Sequence, residues 1–188
     1  MTKLLLSIHV IAAILAVGPV AVAASMFPAV ARRTLSAPGG VSVSGASSLR
    51  TLHRICRVYA VLGVVVPAFG LATGNSMGVL GDAWLVTSIA LTAVAAAVLV
   101  MAVLPGQAAV VASLGPDPEA SPVKDAERAD GTGASGTSRA ATRTAVVRSP
   151  EEVRRTAARL AMTAGAFNLL WSVVTVLMIV RPGSTTGA

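Results

Sequence analysis

Residues 4–31 form an almost unbroken apolar run, and no feature of the chain limits its folding more. At 1.5 Å per residue a helix over this stretch is about 42 Å long, against a hydrocarbon core of about 30 Å, so it can cross a bilayer. It carries one histidine, His9, and one Gly18-Pro19 step. The rival reading is a secretory signal, with Lys3 as its basic start, residues 4–17 as its apolar region and Ala21-Val22-Ala23 as a cleavage site. The apolar stretch continues past that site through Met26-Phe27-Pro28-Ala29-Val30, and Arg32-Arg33 follows where it would resist translocation. A retained span is therefore expected.

Three further apolar runs, at 58–73, 83–104 and 160–180, make the expected fold class an all-α bundle of four transmembrane helices. With 54% hydrophobic residues and a mean hydropathy of +0.76, 188 residues make one membrane domain rather than a soluble one. The excess of Arg over Lys, with abundant Ala, Val and Gly, suggests a GC-rich bacterial genome and hence the bacterial plasma membrane. A net charge of +7 could point to nucleic acid. The cations, however, flank the apolar runs and no aromatic residues interleave with them, so no nucleic-acid partner is expected. Cys56 is the single cysteine, which excludes an intrachain disulfide.

Between the first two spans, residues 36–48 read as a Gly/Ser linker, with helix resuming near Ser48. Arg50, His53, Arg54 and Arg57 then share one helical face, suited either to anionic lipid headgroups or to a topology signal with snorkelling arginines. In the second span Gly63, Pro67, Gly70 and Gly74 make a stripe of small residues that admits a neighbouring helix, and Pro67 should kink it. The turn at Gly74-Asn75-Ser76-Met77-Gly78 is short, so the second and third spans are antiparallel neighbours. Asp82 and Trp84 mark a water interface. Pro105-Gly106 is expected to end the third helix, with 107–114 lying along the membrane surface. Residues 115–148, rich in Pro, Gly, Ser, Thr and charge, should form a disordered inner loop. Ser149-Pro150-Glu151-Glu152 starts the last helix with a capping box and a proline in its first turn, and Arg181-Pro182-Gly183 stops it.

Lys and Arg near the span ends divide thirteen against two, with only Lys3 and Arg181 on the minority side. By the positive-inside rule both termini lie outside and both long loops inside.

Polar residues within the spans are few. His9 sits about 7.5 Å inside its helix end, and Ser88 and Thr175 fall at similar depth, with Ser172 a turn further in. Gly165, Asn168, Ser172 and Thr175 share one face of the fourth span. His9, Ser88, Asn168, Ser172 and Thr175 are thus the candidates for a polar pocket, or else ordinary hydrogen-bonding contacts between helices. His9 and His53 lie near opposite membrane faces, too far apart to share one haem iron, so His9 could supply only a single axial ligand. No Cys, Asp, Glu or further His accompanies His9 in the bilayer to complete a metal site, and Asp82 at the outer rim is the one carboxylate that could approach it for a hydrolytic triad. Repeats and paired intramembrane charges that would mark a transporter are also missing from the sequence.

His9-Val10, Gly18-Pro19, Phe27-Pro28, Leu52-His53 and the run Gly70-Leu71-Ala72-Thr73-Gly74 resemble a family of small bacterial integral membrane proteins with no assigned activity. That resemblance covers the first three spans best and implies a four-helix membrane protein. His9 and Gly18 are also similar to the first helix of the copper-resistance D and haem-dependent protoporphyrinogen-oxidase membrane families, though the further intramembrane His and Lys of those families have no counterpart. The expectation is a non-enzymatic membrane component that packs with lipid, with another membrane protein or with a second copy of itself, and no resident cofactor. The alternatives are a redox protein holding haem b or a quinone at His9, and a small transporter.

Overall fold

The computed structural model describes residues 2–115 and 149–183, and every regular element among them is helical. The expected disordered loop, apart from its first residue, lies outside the described residues. Helix α1 (Thr2–Leu35) runs through Pro19 and Pro28 and ends on Arg32 and Arg33, cations that suit the negative end of a helix dipole. At 34 residues it is about 51 Å long, more than the bilayer core requires.

Helix α2 (Val43–Leu62) begins five residues before the expected start, because Ser42 caps it by accepting a hydrogen bond from the Gly45 amide at 3.1 Å. The Gly/Ser composition that reads as a linker serves close packing instead. A Cβ on Gly45 would lie 2.6 Å from Thr34 Oγ1, so only glycine lets the start of α2 fold back against the end of α1.

The second span continues as α3 (Val65–Met77), and the helix is interrupted at Gly63-Val64, one turn before Pro67. Pro67 has no amide hydrogen for the Gly63 carbonyl, which accepts from Val66 N at 3.2 Å instead. Gly78, at φ +73°, ends α3 in the left-handed conformation. The stripe works as the spacing implies at two positions: Gly70 admits the His9 ring from α1, and Gly74 admits Leu85 from α4.

The third span departs from expectation. Helix α4 (Ala83–Val98) widens into a π-helical turn (Leu99–Val103) and then continues as α5 (Leu104–Ala112). Pro105-Gly106 therefore does not end the helix. The π turn absorbs the missing amide of Pro105, and Gly106 lets α6 close in, since a Cβ there would meet Leu160 Cδ2 at 2.7 Å. Gln107 and Val110 are buried rather than laid on the surface.

Helix α6 (Pro150–Val180) starts with the expected capping box: the Glu152 amide donates to Ser149 Oγ at 3.2 Å, and the Ser149 amide donates to Glu152 Oε2 at 3.0 Å. Arg181 stops it in the left-handed conformation at φ +45°.

The core lies around α1. Val20, Ala23 and Ala24 meet Cys56, Ala95 and Phe167 in one cluster, while Phe27 meets Leu49, Val110 and Leu160 in another. The alanines bring the helices close enough for two large rings, Phe27 and Phe167, to fill what remains. Large apolar side chains such as Leu15, Val64, Met101, Met162 and Ile179 face outward on every span. Four helical spans are long and apolar enough to cross a membrane, and with such an exterior the chain is a multi-pass membrane protein.

Closure of the bundle differs between its two ends. Helix α1 packs on α2, α3 and α6, and α4 packs on α6. Helices α2 and α5 meet and close the ring at the end that carries Arg32, Arg33 and Arg154. In the half that carries Lys3 and Arg181, α3 and α4 meet beside the turn that joins them, at Gly74 and Leu85, and otherwise barely touch. The Gly63-Val64 break and the π turn stand between the closed half and the open one.

Candidate functional site

The gap between α3 and α4, backed by α1 and α6, is a cavity of about 780 Å³ with an almost wholly apolar wall. Along α4 it reaches from Trp84 to Ala96, about 18 Å of helix or more than half of the bilayer core. Met77, Val79 and Arg181 stand at its mouth, and Val17, Gly18 and Trp171 lie towards its floor.

His9 is the buried polar group of the α1 wall, with 8% of its surface accessible. Its Nδ1 lies 2.9 Å from the Val66 carbonyl oxygen. A carbonyl can only accept, so Nδ1 carries a proton and donates it. The ring packs against Gly70, where a Cβ would sit 2.9 Å from Cε1. Glycine is thus required for the ring to reach Val66.

Of the five pocket candidates, His9 and Thr175 line this cavity and the other three do not. Thr175 Oγ1 donates to the Trp171 carbonyl of its own helix at 2.9 Å. Ser88 is fully buried, but its hydroxyl donates to the Trp84 carbonyl at 2.8 Å and it stands behind the wall. Ser172 donates to the Asn168 carbonyl. Asn168 joins α6 to α1, with its Nδ2 donating to Ser25 Oγ at 2.8 Å and its buried Oδ1 without a partner. These three are held as contacts within or between helices.

The basic face of α2 divides as well. Arg54 and Arg57 are exposed. Arg50 donates to the Gly115 carbonyl at 2.9 Å. His53, half-buried, turns to Gln107 on α5, with Nδ1 3.3 Å from Oε1. Gln107 Nε2 in turn donates to the buried Cys56 thiol at 3.5 Å. Arg50 and His53 thus tie the second span to the third, which leaves Arg54 and Arg57 as the members of this face turned outward.

Two residues at the mouth were not candidates from sequence. Trp84 donates its indole N–H to Asp82 Oδ2 at 3.0 Å, and its ring carries the Arg181 guanidinium 5.6 Å from the centroid, within cation–π range. The left-handed turn at Arg181 ends α6 beside that ring. Among the described residues no group of three or more His, Cys, Asp or Glu could hold a metal ion. In comparisons with known proteins, no family model, curated protein or solved structure matches the chain.

Proposed function

We propose that this protein is a non-enzymatic component of the bacterial plasma membrane that holds a lipid-class molecule between its second and third spans. The cavity beside His9 carries this reading: its volume of about 780 Å³ falls in the range of ligand sites, its wall is apolar, and it lies between α3 and α4, which touch each other little. The wall offers no nucleophile paired with a base, which favours holding over catalysis. Both termini lie outside, on the positive-inside rule. The test is extraction of the protein purified in mild detergent. About one equivalent of retained lipid-class ligand per chain is expected, lost when Ala93→Trp fills the wall of α4. An empty native protein, or unchanged retention in the variant, counts against the reading.

A second reading has one observation in its favour. A haem-ligating histidine characteristically gives its other ring N–H to a carbonyl or carboxylate, as His9 gives Nδ1–H to Val66, leaving Nε2 to face a metal. His9 would hold haem b as an axial ligand, and the iron would supply one-electron chemistry. The absorption spectrum of the same preparation, expressed with haem precursor, separates the two readings. A Soret band lost in His9→Ala supports haem, and a colourless protein that retains lipid supports the first reading.

A further inference from the structure

The cavity is polar at one end and apolar at the other, and its long axis follows the spans. Arg181 is the one cation among the residues that line it. The Trp84 face holds the guanidinium at the rim, and a stacked guanidinium keeps its N–H edges available to a planar oxyanion. Asp82, the nearest acid in sequence, is not part of the lining and accepts the Trp84 indole N–H. From that rim the wall descends past Leu85 and Ile89 to Ala96 on α4, and past Val174 to Trp171 on α6. Such a wall matches one leaflet of a bilayer, with a charged head at the interface and a hydrocarbon tail running towards the midplane.

The volume limits what can enter. At about 30 Å³ for each small group, the share of a water molecule in the liquid, a cavity of 780 Å³ accommodates about two dozen non-hydrogen atoms. One long-chain carboxylic acid fits within that number, and a two-chain phospholipid exceeds it. We infer that the occupant is a single-chain anionic amphiphile, a long-chain fatty carboxylate taken from the leaflet on the Arg181 side through the gap between α3 and α4. Its carboxylate accepts hydrogen bonds from Arg181 beside Trp84, and its chain passes His9 and Gly70 on the way to Val17 and Ala96.

The inference rests on the lipid-holding reading above and names its ligand. Delipidated full-length protein in detergent, titrated with tritiated hexadecanoate and separately with tritiated hexadecanol, tests both. Hexadecanoate should bind saturably at one per chain and at least about tenfold tighter than the alcohol, the effect of one charge-assisted hydrogen bond. Arg181→Gln should bring hexadecanoate down to the level of the alcohol and leave the alcohol unchanged. Ala93→Trp should abolish binding of both, with Ala96→Phe as the replacement if that variant does not fold. Equal affinities in the native protein, or an Arg181→Gln variant that keeps its preference, overturn the carboxylate assignment while the cavity remains a lipid site. No saturable binding of either probe overturns the cavity reading itself. A tightly held phospholipid that hexadecanoate does not displace overturns the single-chain assignment alone.

Discussion

Gly70 and His9 form a matched pair, one giving up a side chain so that the other can reach a carbonyl on the next helix. Gly70→Ala places a methyl group 2.9 Å from His9 Cε1, and overpacking of this kind destabilises by about 1–3 kcal/mol. His9→Ala removes the bond to Val66 and should cost about 1–3 kcal/mol of its own, because a carbonyl is left with one partner fewer in a dry setting. The double variant should be less destabilised than the sum of the two, since the methyl group of Gly70→Ala then meets empty space. Stepwise unfolding of the four proteins in mixed micelles by circular dichroism measures this, and strict additivity would show that the two residues are not in contact. His9 is visible in the sequence because a lone ionisable group in an apolar run cannot be overlooked. Arg181 reads as nothing more than a charge at the end of a span. Its place over Trp84 depends on a left-handed backbone that an arginine seldom adopts and on a helix distant in sequence.

Proline acts differently in the second and third spans. Pro67 interrupts its helix at Gly63-Val64, whereas Pro105 is taken up within a continuous helix by the π turn before it. Pro67→Ala returns a donor to the Gly63 carbonyl and should raise stability by about 1 kcal/mol, the net worth of one hydrogen bond. Retention of ligand should change at the same time, because Pro67 lines the cavity and a continuous helix repositions that wall. A variant with unchanged stability and unchanged retention would uncouple the break from the cavity. The capping box of α6 is legible because Ser149, Pro150 and Glu152 act on one another within a single turn. The outcome at Pro105 is not legible in the same way, since it depends on whether the helix can widen against its neighbours. Similarly, the fit of Gly45 against Thr34 exists only once α1 and α2 are packed.

At the scale of the whole chain, charge and closure divide the molecule along one axis. Arg32, Arg33, Arg50, Arg54, Arg57, Arg154, Arg155 and Arg159 lie at the closed end, and Lys3 and Arg181 at the open one. The other basic residues, Lys124, Arg128, Arg139, Arg143 and Arg148, lie outside the described residues. Cysteines introduced at the exposed positions Ser36 and Asn75 report which end faces the cytoplasm, against a low background because native Cys56 is fully buried. In intact cells an impermeant maleimide should label Asn75→Cys and not Ser36→Cys, and the reverse pattern would invert the topology. Four spans are legible from hydropathy alone, but the opening between two of them is not, because Ala and Val are equally at home against lipid and against a neighbouring helix. The π turn at Leu99–Val103 also sets the direction in which α5 faces. A π turn accommodates one residue more than an α turn, so a variant with one residue deleted there would have α5 rotated by about 100°. Gln107 would then point away from His53 and Cys56, and the second and third spans would lack the polar link that joins them. The facing of Gln107 towards the second span thus depends on the count of residues in one turn.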